Sequence, residues 1–226
     1  MQFLKDIFDF TFPRNCIICG RLLNDSEKVI CTYCYYEIPR TNFHKDPENP
    51  VAKLFWGRIK VEHATAFFYF NKGSRYQKLI HALKYEGRKD IGIEAGKIFG
   101  FELKGSVYEQ ADFLIPVPLH WKKQRKRGYN QSEMIALGMG KALGKPVYTD
   151  ILERIEFTSS QTRKTRYDRF TNVTGSFIVK NCEKCAGRNI LLIDDVVTTG
   201  STVEACAEVL IKNNISKVSL ATLAVA

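Results

Sequence analysis

Ile190-Leu191-Leu192-Ile193-Asp194-Asp195-Val196-Val197-Thr198-Thr199-Gly200-Ser201-Thr202 sets aliphatic, acidic and small hydroxyl residues in the order that a phosphate-binding strand–loop–helix unit requires. Four consecutive aliphatics predict a central strand buried on both faces. In an open α/β sheet, ligands collect beyond the carboxyl ends of the strands, and there Asp194 and Asp195 are expected to emerge. Thr198, Thr199, Gly200, Ser201 and Thr202 follow, ahead of a helix expected over residues 203–213. Such a loop offers backbone N–H and side-chain O–H groups to a phosphate, and the positive end of the next helix adds to the attraction. Helix capping explains one hydroxyl, not four within five residues beside two acids. A P-loop is excluded, because no Gly-x-x-x-x-Gly-Lys-Ser/Thr occurs in the chain.

Outward from this stretch, strand and helix alternate. Strands are expected at residues 65–70, 112–118 and 217–225, and helices at 76–85, 91–101 and 131–143, the last closed by Gly144. Strands separated by helices of this length imply an α/β fold with a parallel sheet. Residues 1–57 have a different texture, with four cysteines and no long periodic segment. The tract at 44–50 reads as a loop between units, so the expected division is 1–57 and 58–226. Phe3, Leu4, Ile7 and Phe8 have helical spacing and Pro13 ends the pattern, which predicts a short amphipathic helix within the first unit. Charged residues interrupt it and no small-residue cleavage site follows, so a cytoplasmic chain is expected rather than a secreted one. No apolar run approaches the roughly 18 residues needed to cross a bilayer.

Of the seven cysteines, four form paired units: Cys16-Ile-Ile-Cys19 and Cys31-Thr-Tyr-Cys34. In a reducing compartment that spacing argues for metal rather than disulfides. Two knuckles give a closed tetrahedral site of four thiolates, which is structural because no coordination position is left for substrate. Zinc is the preferred ion, with iron the alternative. Cys182 and Cys185 form a third pair without a partner pair and are expected as free thiols, and Cys206 reads as core. Thirty-four Lys and Arg against 24 Asp and Glu give a formal net charge of +10, which favours polyanionic partners such as nucleotides, nucleic acid or phosphosugars without choosing among them.

The stretch at 190–202 resembles, at every position, the phosphoribosyl pyrophosphate motif of type I phosphoribosyltransferases. Three further blocks resemble the ComF family. They are Pro116-Val117-Pro118-Leu119-His120 followed by Arg127-Gly128-Tyr129-Asn130-Gln131; Leu152-x-Arg154 followed by Gln161-Thr162, Arg166, Arg169, Asn172, Gly175 and Phe177; and Ala82-Leu83-Lys84-Tyr85-Glu86-Gly87. The ribbon of four cysteines belongs to the same pattern, so the resemblance covers nearly the entire chain. Lys164 departs from it, standing where many relatives carry Leu.

The resemblance implies a type I phosphoribosyltransferase fold behind a small N-terminal zinc ribbon. It implies that Asp194 and Asp195 are catalytic and hold the ribose 2′- and 3′-hydroxyls. Val197, Thr198, Thr199, Gly200, Ser201 and Thr202 would bind the 5′-phosphate. Pro118, Leu119, His120 and Arg127 would form a pyrophosphate loop, and Gln161, Arg166 and Arg169 a lid. Mg²⁺ would bridge the pyrophosphate and the ribose hydroxyls, and Zn²⁺ would be structural. No acceptor-specific residue is identifiable. Lys84 falls in a family block but the residues themselves assign it no chemistry; it could reach the site, and a lysine at a helix C-terminus next to Gly87 is an equally good account. Two functions follow: Mg²⁺-dependent transfer or hydrolysis at phosphoribosyl pyrophosphate, or the handling of single-stranded DNA in natural transformation, alongside competence proteins and with the phosphosugar as regulatory ligand. For the second, the basic residues at 122–127 and 163–169 would line one groove, with Trp121 or Tyr129 stacking on bases.

Overall fold

A computed structural model describes residues 13–155, 176–181, 183 and 185–226. The expected N-terminal helix and the lid residues Gln161, Arg166 and Arg169 lie outside the described residues. The central sheet has four parallel strands: β1 (Ala64–Tyr69), β2 (Phe113–Pro116), β5 (Asn189–Val197) and β6 (Lys217–Val225), in the order β1-β6-β5-β2. Two short strands, β3 (Leu152–Arg154) and β4 (Phe177–Val179), pair antiparallel beside it. The helices are α1 (Thr32–Tyr36), α2 (Pro50–Lys53), α3 (Gln77–Tyr85), α4 (Lys89–Glu102), α5 (Trp121–Arg127), α6 (Gln131–Leu143) and α7 (Ser201–Lys212). Among the described residues no helix is long and apolar enough to cross a membrane.

Both faces of the sheet are covered, as parallel strands of continuous aliphatics require. Leu191 and Ile193 of β5 join one core with Leu83, Ile91 and Ile135 from α3, α4 and α6, and this core also takes the ribbon's Ile18, Val29 and Cys34. Ile190 and Leu192 join the other, with Val203 and Leu210 of α7 and Phe55 from the segment after α2. Helices α4 and α6 touch through their backbones. A Cβ added at Gly92 would lie 2.7 Å from the Met134 Cβ, and one at Gly100 would lie 2.8 Å from the Ala142 Cβ. Only glycine permits this approach, and it holds the start of α6 close to the strand ends.

Three expectations change. The strand expected at 190–193 runs on through both acids to Val197, because Asp194 stays in register with Thr222 and Val196 with Ala224. Ladder pairing against a neighbouring strand outweighs the low strand preference of aspartate. The basic stretch at 122–127 is a helix, not a loop. His120 caps it by accepting the Lys122 N–H at 3.2 Å, straight-chain Lys, Arg and Gln favour helix, and Gly128 at φ 78° ends it. The tract at 44–50 begins inside a 3₁₀ turn, Phe43–Lys45, and ends on the first residue of α2. Buried Asn49 accepts the Val51 and Ala52 N–H groups and donates to the Phe43, Asp46 and Ala64 carbonyls, which ties the tract to β1.

Candidate functional site

The hydroxyl loop turns from β5 into α7 at Gly200, whose φ of 76° is the left-handed conformation that glycine tolerates best. An added Cβ there would lie 2.9 Å from the Phe55 ring, so glycine is also what lets the loop rest on the segment after α2. Arg58 braces the loop from outside, donating to the Thr199 and Leu54 carbonyls at 3.0 Å each and pairing with Glu204. Thr199 Oγ1 and Ser201 Oγ are 3.1 Å apart. Asp194 and residues 196–203 line a hollow of about 50 Å³ at the N-terminus of α7. The hollow presents hydroxyls and the positive helix end, one carboxyl group, and no Lys or Arg among the described lining residues.

The acid pair stands beside this hollow and the two carboxyls differ. Asp194 Oδ1 accepts the Asp195 N–H at 2.8 Å and the Ser132 Oγ–H at 2.9 Å. Burial, reinforced by the neighbouring Asp195 charge, pushes the Asp194 carboxyl up to about 7, while those hydrogen bonds and Lys84 pull the other way. Asp195 Oδ2 pairs instead with Lys84 Nζ at 3.0 Å. Ser132 is therefore a functional neighbour that sequence reading misses, and Lys84, one of whose two sequence readings is that it could reach the site, stands on Asp195. Both sit in or beside family blocks, which was the only available signal, and neither carries a chemical signature of its own.

The same two blocks interlock. The Tyr129 hydroxyl donates to the Leu83 carbonyl, the Arg127 guanidinium lies 5.5 Å from the Tyr85 ring centroid, and Arg127 Nη1 donates to Gln131 Oε1 at 2.7 Å. Asn130 bonds the Val117 carbonyl at 2.9 Å and caps α6 through the Ser132 N–H. Tyr129 is thus buried and is not available to stack on a base, which corrects that expectation. Pro118, Leu119 and His120 follow β2, next to β5, and Pro118 and Leu119 line a second, larger pocket of about 340 Å³. Half-exposed Trp121 and Arg154 also face this pocket.

At the ribbon, the Sγ atoms of Cys16, Cys19, Cys31 and Cys34 lie within 4.8 Å of one another. The Cys31 N–H points at Cys16 Sγ at 3.3 Å, and Gly20, at φ 75°, returns its N–H to the Cys16 carbonyl at 2.8 Å. The Arg21 N–H lowers the Cys19 thiol to about 7, while burial raises those of Cys31 and Cys34. Four convergent sulfurs with supporting amides are the donor set of a tetrahedral metal. Tyr76 Oη and Lys78 Nζ, from the start of α3, reach the Cys34 and Ile18 carbonyls and tie the ribbon to the sheet layer. Cys185 and Cys206 are buried, and Cys182 is outside the described residues.

Residues 130–225 match the family model described as the phosphoribosyl transferase domain. Over 210 residues the chain is 26% identical to the DNA utilization protein YhgH of Shigella flexneri, covering 91% of this chain and 87% of that one. It is 27% identical over 210 residues to Competence protein ComFC of Bacillus subtilis, covering 92% and 76% respectively. A shorter match, 32% identical over 112 residues and 49% of each chain, is to Competence protein F of Haemophilus influenzae.

Proposed function

Because the chain belongs to the ComF family and joins a type I phosphoribosyltransferase fold to a four-cysteine ribbon, we propose that it binds phosphoribosyl pyrophosphate with Mg²⁺, transfers the phosphoribosyl group, and acts in natural transformation. The observation that carries the reading is the acid pair on a central strand, beside a hydroxyl-lined hollow at a helix N-terminus. The hollow takes the 5′-phosphate through the N–H and O–H groups of residues 198–202. Asp194 and Asp195 accept the ribose hydroxyls, while Pro118, Leu119, His120 and Arg127 stand on the pyrophosphate side. Opening of the C1 bond leaves an oxocarbenium-like ring, so the chain's contribution is to position the sugar and compensate charge. Asp194 and Asp195 are the carboxylates that would be available to Mg²⁺, which would supply charge neutralisation for the pyrophosphate when bound. Zn²⁺ is assigned to Cys16, Cys19, Cys31 and Cys34 as a structural ion.

A second reading keeps the phosphosugar as a regulatory ligand and gives the protein single-stranded DNA to handle. It is favoured by the exposed Lys122, Lys123, Arg125 and Lys126 of α5 and by Trp121 at the mouth of the larger pocket. Calorimetry with phosphoribosyl pyrophosphate and Mg²⁺ tests the shared core of both readings. Asp194→Asn combined with Asp195→Asn is expected to weaken binding without unfolding the chain, and unchanged affinity would remove the ribose assignment. An acceptor screen then separates the two readings: product release supports transfer, and salt-dependent DNA binding without turnover supports the second.

A further inference from the structure

Lys84 stands beside the acid pair, its Nζ 3.0 Å from Asp195 Oδ2. Phosphoribosyl pyrophosphate brings several negative charges, yet no described residue lining the hydroxyl hollow is cationic. Of the nearby guanidinium groups, Arg58 is paired with Glu204 and donates to two carbonyls, while Arg127, on the pyrophosphate side in the reading above, is held by Gln131 and the Tyr85 ring. Among the described residues Lys84 forms one ion pair, with Asp195, and its side chain keeps 21% of its exposure.

The order of groups indicates where this ammonium can go. Asp194 lines the hollow, whereas Asp195 and Lys84 do not, and Lys84 meets the acid pair through the Asp195 carboxylate at 3.0 Å. A ribose with its 5′-phosphate in the hollow and its hydroxyls on the acids turns C1 toward the far side. Backbone motion is not needed to meet it. The last turn of α3 is clamped to the end of α5 and the connection before α6 through the Leu83 carbonyl and Tyr85, while lysine's four-carbon stem is flexible.

We propose that Lys84 is a phosphosugar-binding residue that exchanges partners: it neutralises Asp195 in the free protein, and turns to the diphosphate on C1 when the ribose hydroxyls take that carboxylate. The assignment rests on the phosphosugar reading above and adds a determinant for the group carried at C1. It requires affinity to depend on Lys84 only when that group is anionic.

The test is calorimetry on the full, metal-loaded chain with two probes: phosphoribosyl pyrophosphate with Mg²⁺, and ribose 5-phosphate, which has the same sugar and phosphate but no diphosphate. Losing a hydrogen bond to a charged group, Lys84→Met is expected to weaken the first ~10–100-fold and the second less than ~3-fold, with Lys84→Arg keeping most of the parent affinity. Should Lys84→Met fail to fold, Lys84→Gln, which can still donate to Asp195, gives the same comparison. Equal losses for both probes would mean that Lys84 only holds Asp195 in place, and tighter binding of both that it only obstructs; either overturns the assignment. A parent chain that binds neither probe overturns the phosphosugar reading itself, a result distinct from these.

Discussion

Replacing Asp194 with asparagine separates the charge of this side chain from its shape. The amide oxygen can accept the same two hydrogen bonds, from Ser132 Oγ and the Asp195 N–H, so the local geometry is kept. The carboxyl is raised from its ordinary 3.8 to about 7, by burial first and by Asp195 second. Between those values the folded chain holds a proton that the unfolded chain has released, so this group's stabilising contribution is complete below pH 3.8 and is lost as pH rises to 7. Three pH units at 1.36 kcal/mol each put the penalty at about 4 kcal/mol above neutrality. Asp194→Asn removes it. From pH 5 to pH 8 the stability gap between variant and parent is expected to widen by about 3 kcal/mol, or roughly 6–12 °C in Tm for a chain of this size. Thermal unfolding followed by circular dichroism on metal-loaded protein measures the gap directly. A gap that is constant with pH, or that closes, would show that Asp194 is ionised in the folded state and that its surroundings compensate the charge.

Two further perturbations probe what surrounds the site. In Gly96→Ala the new Cβ would meet the Ile135 carbonyl group, with its carbon at 2.9 Å, and force α4 and α6 apart. Overpacking of about 1–3 kcal/mol outweighs the gain in helix propensity of at most ~1 kcal/mol, so a lower urea midpoint is expected; an unchanged or higher one would refute the close approach. Cys34→Ser should reduce bound metal to none by elemental analysis, because the binding free energy of so small a unit is its folding energy. Circular dichroism should still report a folded parallel sheet, and global unfolding would show that the ribbon supports far more than its own loops.

Reading the chain from its residues reached the pattern of the site further than its wiring. Helix α6 over 131–143 and strand β6 over 217–225 were expected where they stand, since apolar periodicity and a closing Gly144 leave little choice. The hydroxyl loop and acid pair were legible because their chemistry is local, concentrated within one strand, loop and helix. What escaped, or was left open, was non-local. Lys84 and Ser132 acquire roles only because α3 and α6 are clamped over the end of β5, a contact that no window of neighbouring residues reveals. The helix at α5 escaped for a different reason. Its charge suggests a solvated loop, while its cap, His120, lies two residues ahead of the basic stretch and belongs to another motif.

The order β1-β6-β5-β2 has a consequence for synthesis. Within the sheet β1 pairs only with β6, and about 150 residues separate the two in the chain. While the polypeptide grows, Ala64-Thr65-Ala66-Phe67-Phe68-Tyr69 therefore leaves the ribosome long before its partner exists. Closing so long a loop is slow. An apolar segment of that composition, waiting with only the short bridge from residues 39–41 beside it, is also a template for wrong pairing with another nascent copy. The asymmetry predicts that yield in cells depends on translation rate and chaperone supply more than the finished structure's stability would suggest.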